Sequence, residues 1–340
     1  MSVQQQIDRI NTEVSAQETL LDQALAAIAN KAAGGGAGGI TPSGEIEIAE
    51  NGTYDVTEYA SAVVNVTGGG CVTLDDIASR NIAGDVALSV SSISSYAFFG
   101  YTNVTSLRSP LVTSVGDYAF YATGITGALD LPVCTSIGKY AFYQCRGINS
   151  LYIPNATTIG EYAFVQCNKI TTLDAPNLTT MGAGAFGGSA TYKMAITSIN
   201  LPKLTAVPAS SMTYFAKITE LVLPSAKTVG NSSLTNWTNI TYVDLPKCTS
   251  IHNYGLRNNS KLETLILRSE TMCTLAAYAL NSTKIFNGTG YVYVPQSLIA
   301  SYQAATNWKT VYGKNANAFR ALEDYTVDGT ITGELDPTKI

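Results

Sequence analysis

Charge is scarce in this 340-residue chain: 13% of its side chains are Asp, Glu, Lys or Arg, about half the share in an ordinary soluble domain. The 20 basic residues are scattered and outnumbered by 25 acidic ones. No Lys/Arg cluster exists to hold a phosphate backbone, which argues against nucleic acid as a partner. Histidine occurs once, at His252, which removes most histidine-based catalysis and histidine-rich metal sites. The six cysteines, at 71, 134, 145, 167, 248 and 273, contain no CxxC pair. Metal spacing is therefore absent, and the cysteines read as reduced, buried, small hydrophobes. No run approaches the ~18 apolar residues of a membrane span. The opening MSVQQQIDRI lacks a basic stretch followed by an apolar one, so neither membrane insertion nor a secretory leader is expected. No GxSxG, HExxH or phosphate-binding loop occurs; no enzyme, cofactor or metal is expected.

What is present is a period. Hydrophobic residues make up 46% of the chain, enough for a sizeable core. Prolines recur at 110, 132, 154, 176, 202, 224 and 246, in steps of 22 except for one of 26, and Arg268 stands 22 further on in the same slot. An apolar column keeps phase with them: Phe98, Phe120, Phe142, Phe164, Phe186, Met212, Leu234, Leu256 and Leu280. The long step coincides with an insertion near Ser189–Lys193. Such a register over eight units means a solenoid, whose stacked units share a core that none could build alone.

Each unit reads as apolar-Gly-x-Tyr-Ala-Phe, a polar turn, Leu-x-Leu-Pro and x-x-Thr-x. Leu129-Asp130-Leu131-Pro132 and Leu221-Val222-Leu223-Pro224 alternate, so they are short parallel strands with leucines inward, ended by a proline that cannot donate to a ladder. The Gly-x-Tyr-Ala-Phe segment is expected to be a tight helical or 3₁₀ turn. The outward strand position reads Arg108, Asp130, Tyr152, Asp174, Asn200, Val222, Asp244 and Ile266; beside it run Ser106, Ala128, Ser150, Thr172, Ser198, Glu220, Tyr242 and Thr264. From these columns Arg108, Asp130, Tyr152, Asp174, Asn200, Tyr242 and Asp244 are the candidate ligand-binding residues, able to read a host-surface glycan or a protein epitope; a plain solvated sheet face is the competing reading. The Tyr96, Tyr118, Tyr140, Tyr162 column reads as structural packing, and Asp117, Lys139, Glu161 as a solvated charge ladder. His252 takes the slot of Gly116, Gly138, Gly160 and Gly230, a turn position. Cys145 and Cys167 fall in one column, near enough for a disulfide, with thiols favoured.

Ile137–Thr158 (IGKYAFYQCRGINSLYIPNATT) and Ile159–Thr180 (IGEYAFVQCNKITTLDAPNLTT) resemble BspA-like leucine-rich repeats, and the resemblance covers about residues 82–295. From Met181 onward Gly184 and Ser210 replace the tyrosine and Met or Leu the phenylalanine. The resemblance implies an adhesive or protein-binding solenoid without enzymatic activity.

The flanks point to an assembly. Val3, Ile7, Ile10, Val14, Gln17, Leu21, Ala24 and Ile28 alternate steps of four and three, a heptad seam. It makes residues 1–33 a coiled-coil helix for oligomerisation and anchoring, through Val3, Ile7, Ile10, Val14, Leu21 and Ile28. Ile or Val at both core positions tilts the choice to a homotrimer. A Gly-rich linker (34–43, with GGGAGG at 34–39) follows. Residues 44–70 read as a small β stalk module with a type I′ turn at Asn51-Gly52. That segment resembles stalk modules of tail and fibre proteins encoded by phages and prophages of gut Gram-positive bacteria. Residues 71–92 cap the solenoid, with a helix start at Asp75-Asp76; the repeats span 93–295. In the C-terminal part, 296–340, a helix over Gln296–Ala305 covers the last coil before an extended polar tail from 323.

The expectation is a non-enzymatic virion fibre or receptor-binding protein, docked to other virion proteins by its N-terminus and binding a host surface with its repeats. The alternative is a bacterial cell-surface adhesin. A polysaccharide-cleaving fibre using Asp130 and Asp174, two coils or roughly 10 Å apart, is the third reading.

Overall fold

A computed structural model of the chain describes residues 91–102 and 104–324, together with the strands Glu45–Ile48, Val63–Thr67, Cys71–Val72, Gly84–Ser89, Thr326–Val327 and Thr330–Ile331. The repeats are coils of a parallel solenoid. Each Leu-x-Leu motif forms a strand whose leucines point inward. Strands from Glu45–Ile48 through Val104–Arg108, Thr126–Asp130, Gly147–Tyr152 and Thr172–Asp174 to Ser198–Asn200 make one eight-stranded sheet. Strands Glu220–Val222, Tyr242–Asp244, Thr264–Ile266, Tyr291–Val294 and Phe319–Ala321 make a second, five-stranded sheet. On another side of each coil, two-residue strands such as Ser136–Ile137 and Thr158–Ile159 pair in parallel with their neighbours. That ladder also divides, between Thr180–Met181 and Ala206–Val207. The first break lies just after the long unit at Ser189–Lys193, and the second spans it.

The Gly-x-Tyr-Ala-Phe segment is not a helical or 3₁₀ turn. Tyr118 and Ala122 have φ of 57° and 55°, in the left-handed region that neither helix visits. Hydrogen bonds alternate instead. The N–H groups of Tyr118, Phe120 and Ala122 donate to the next coil, at Lys139, Ala141 and Tyr143, over 2.7–2.8 Å, while those of Ala119, Tyr121 and Thr123 close turns three residues back. The turn is thus a third inter-coil ladder, and its backbone donors stay paired. A threonine column adds side-chain clamps: Thr135 Oγ1 donates to Thr113 O, Thr157 to Thr135 O and Thr179 to Thr157 O, at 3.1–3.2 Å.

Five phenylalanines, Phe98 to Phe186, stack in the core with ring centroids 4.9–5.3 Å apart. Beyond them Met212, Leu234, Leu256 and Leu280 fill the slot, all buried. The lost volume returns three residues later. Where the first half holds Cys145 and Cys167, the second holds Phe215 and Trp237, stacked at 4.9 Å. Paired exchanges that conserve volume are what a close-packed core tolerates. The next coil puts Asn259 in that slot; it accepts from Trp237 N–H and donates to Leu234 O, both at 2.8 Å, so its buried amide is satisfied.

Short helices follow the last coil. A 3₁₀ turn, Gln296–Leu298, leads into helix α2, Ile299–Ala304; α1, Lys284–Asn287, precedes them, and α3, Trp308–Lys314, is an addition the sequence did not announce. Tyr302 and Trp308 are buried and grip one residue of the last coil. Cys273 N–H donates to Tyr302 Oη at 2.8 Å, and Trp308 Nε1–H donates to Cys273 O at 2.7 Å. In the tail, Thr326–Val327 and Thr330–Ile331 pair antiparallel.

Glu45–Ile48 pairs with Val63–Thr67 in parallel, and Val63–Thr67 continues in parallel onto Gly84–Ser89, so these strands belong to the same sheet as the repeats. The heptads, the glycine linker, Asn51-Gly52 and Asp75-Asp76 lie outside the described residues. Among the described residues no helix is long and apolar enough to cross a membrane.

Candidate functional site

The outward strand positions do form a column, because the parallel strands stack in register. Arg108 pairs with Asp130, Asp130 with Tyr152, Tyr152 with Asp174 and Asp174 with Asn200. Arg108, Asp130 and Asn200 are exposed, and Tyr152 and Asp174 half-buried. Asn200 Nδ2 donates to Asp174 Oδ1 at 2.9 Å. Arg108 directly opposite Asp130 is a favourable cross-strand pair. The result is one row of a cation, an anion, a phenol, an anion and an amide at strand spacing. Such a row can bind hydroxyls and amides, with Tyr152 as an aromatic platform.

Two predicted site residues are not on that surface. Tyr242 is 8% exposed and Asp244 1%, against the expectation of exposed recognition positions. The cause is the C-terminal segment. Leu322, just past strand Phe319–Ala321, packs with Tyr242 and Ile266 in a separate small cluster, and Val222 and Tyr293 lean on it. Asp244 is held from the side by Arg268, the residue that replaces the repeat's proline: Nη2 meets Oδ2 at 2.9 Å and Nε at 3.1 Å. Tyr242 Oη donates to the same oxygen at 3.3 Å. Burial raises the Asp244 pKa above the usual carboxylate value, and Arg268 and Tyr242 oppose that rise. The outer face therefore has an open polar half and a covered, mainly apolar half.

Asp130 and Asp174 sit two coils apart with Tyr152 between them. His252 is exposed at its turn. Lys139 Nζ meets Glu161 Oε2 at 2.9 Å with both side chains over 40% exposed, and Lys139 N–H donates to Asp117 Oδ1 at 2.7 Å. Tyr96, Tyr118, Tyr140 and Tyr162 stack at 4.8–4.9 Å. A second stack that the sequence reading missed, Phe99, Tyr121 and Tyr143 at 4.8–4.9 Å, runs beside them; its signal was the aromatic following the column phenylalanine. Ring faces in both stacks are spent on one another, leaving edges and hydroxyls outward. Cys134, Cys145, Cys167, Cys248 and Cys273 are buried free thiols. Cys145 and Cys167 are not bridged: each thiol donates to a carbonyl of the preceding coil, Phe120 O and Phe142 O, at 3.0 Å. Burial pushes the Cys134 and Cys145 thiols up to about 11, which makes them poor nucleophiles. Among the described residues no group of His, Cys, Asp or Glu could hold a metal ion.

Solved structures with similar architecture include a leucine rich cell surface protein from Faecalibacterium prausnitzii, at 17% identity and TM-score 0.43, covering 60% of this chain and 64% of that one. A T. pallidum leucine rich repeat protein matches at 15% identity and TM-score 0.35, covering 72% of this chain and 86% of its own. A leucine-rich repeat protein from Eubacterium ventriosum gives 16% identity and TM-score 0.34, with 72% and 92% covered. This chain spans less than two thirds of the Faecalibacterium chain. A comparison with curated proteins finds no match. The family model for the BspA type leucine rich repeat region matches residues 84–193 and 189–298 in six copies; with the register, the threonine ladder and the stacked phenylalanines, that match covers most of the chain, which belongs to the BspA-type leucine-rich repeat family.

Proposed function

We propose that the protein is a non-enzymatic recognition solenoid, displayed on a bacterial cell surface, that adheres through the outer sheet face of its N-terminal half. The observation that carries this reading is the open row Arg108, Asp130, Tyr152, Asp174 and Asn200 on a rigid in-register ladder, in contrast to the covered row beyond it. The row matches a polyhydroxylated or amide-rich ligand, a glycan or a protein epitope. Membership in a repeat family built as extended sheets supports it. The test is binding of purified protein to bacterial cells and immobilised glycans by Asp130→Ala and Tyr152→Ala variants. Tyr152→Ala is expected to weaken binding about tenfold or more, with Asn231→Ala on the turn side as an unaffected control. Equal binding by all three would remove the outer face from consideration.

The second reading, a trimeric phage fibre, is favoured by one observation, the heptad seam Val3, Ile7, Ile10, Val14, Leu21 and Ile28. Light scattering on the intact chain and on a chain lacking residues 1–33 separates the two. A mass three times 35.9 kDa that collapses on truncation supports the fibre. A monomer throughout rules out the seam.

A further inference from the structure

Of the five cysteines whose side chains are described, three are absorbed by the repeat: Cys145 and Cys167 donate to neighbouring-coil carbonyls at 3.0 Å, and Cys134 to Ser136 O at 3.3 Å. Cys248 and Cys273 are different. Their sulfurs face each other at 3.8 Å with both residues 0% exposed. Cys248 also reaches Ser250 O at 3.4 Å, as Cys134 reaches Ser136 O, and Cys273 reaches Thr274 O at 3.6 Å; what sets them apart is that they face one another. They precede the paired strands Ser250–Ile251 and Thr274–Leu275 by two residues and one, a diagonal offset of one residue between coils about 4.8 Å apart, which stays within the Cα range of a disulfide. The pair also lies where the cap is fastened, since Tyr302 and Trp308 both grip the Cys273 backbone.

We propose that Cys248 and Cys273 form a disulfide when the chain meets an oxidising thiol buffer, stapling the last coils together beneath the C-terminal cap. The oxidant is a low-molecular-weight disulfide such as oxidised glutathione. The Cys248 thiolate attacks one of its sulfurs and expels a first glutathione thiolate. The Cys273 sulfur, its proton passed to solvent, then attacks Cys248 Sγ of the mixed disulfide and expels a second. Two protein thiols lose two electrons, and one glutathione disulfide gains them. The order of attack follows from the pair itself. Its hydrogen bond lowers the Cys248 thiol below its ordinary value and raises Cys273, and the more acidic thiol reacts first. Because both sulfurs are enclosed, exchange proceeds while the cap is undocked, during folding or in transient opening. The inference goes beyond the recognition reading and is independent of any ligand.

The full chain, purified reduced, is equilibrated with mixed oxidised and reduced glutathione, acid-quenched, unfolded and alkylated with N-ethylmaleimide. Intact mass and linked peptides are then read. Of the six cysteines, four are expected to be alkylated, with one Cys248–Cys273 linked peptide. Cys248→Ala is expected to leave every remaining thiol alkylated; Ala156 and Ala226 fill the same repeat slot, so this variant suits the fold. Cys145→Ser is expected to retain the link. Amide exchange over residues 302–311 is expected to slow about tenfold or more on oxidation. Six alkylated thiols, a stable glutathione adduct on Cys248, or a Cys145–Cys167 link would overturn the pairing. Unchanged exchange in an oxidised chain would overturn the staple.

Discussion

The two halves of the solenoid share one frame and differ on both of its surfaces. In the first, the core is a stack of five phenylalanines and the outer face an open row from Arg108 to Asn200. In the second, the core holds Met212, Leu234, Phe215 and Trp237, and the outer face is closed by Leu322 over Tyr242 and Ile266. The difference shows that the repeat fixes backbone register and leaves side-chain volume negotiable between columns. It also shows that a solenoid can consume part of its own sheet face to hold its terminus. The open polar row is what remains.

The largest test of this contrast is Arg268→Ala. It leaves the enclosed Asp244 carboxylate without its cation and is expected to lower stability by about 3–5 kcal/mol. Asp130→Ala, at the equivalent position of the open half, is expected to stay within about 0.5 kcal/mol. Urea midpoints of both variants decide it, and equal effects would dissolve the distinction between covered and open faces. Next comes the core exchange. Leu234→Phe is expected to overpack by about 1–3 kcal/mol and Trp237→Cys to open a cavity costing about 3 kcal/mol. The double variant, which recreates the first-half arrangement, is expected to lose less than the two singles added together. Strict additivity would show that the columns do not compensate.

Smaller effects come from the left-handed turn residues. Ser210 has φ of 54° and no ring to stack, so Ser210→Gly is expected to raise stability by up to about 1 kcal/mol. Tyr140→Gly relieves the same strain but removes a ring stacked on two neighbours, and is expected to lower the melting temperature. The smallest effect is in pH. The folded pKa of Asp244 is raised, so the folded chain takes up this proton before the unfolded chain does. Its contribution is then most favourable below the unfolded pKa of about 3.9 and is lost as pH rises through the folded value. The stability gap between wild type and Asp244→Asn is expected to shift against wild type across that acid range, and a shift in the opposite direction would mean that Arg268 outweighs burial.

Most of the frame was legible because a period is a redundant signal: eight units in phase, each with an apolar strand position and seven of them with the proline, place every outward column, and the register of Arg108 with Asp130 follows from spacing alone. The turn was misread as helical because Tyr at 118 and 140 is an unusual residue for positive φ, where Gly or Asn would have announced it. The closure over Tyr242 and Asp244 was invisible for a different reason. It depends on Leu322, nearly eighty residues away and outside the period, and no local pattern reports such a contact. Arg268 in the proline slot was the available hint, an arginine whose partner one coil back could have been sought.

The threonine ladder ties each coil to its immediate neighbour alone, through backbone carbonyls that every repeat supplies. A gene encoding such a chain can gain or lose whole units by unequal recombination and still yield a continuous stack, provided the junction keeps phase. The 26-residue unit then acts as a boundary marker: exchange on its N-terminal side lengthens or shortens the open polar row, while exchange beyond it shifts Tyr242 and Asp244 from beneath Leu322. Variation in length and surface chemistry is thereby channelled to one side of the molecule.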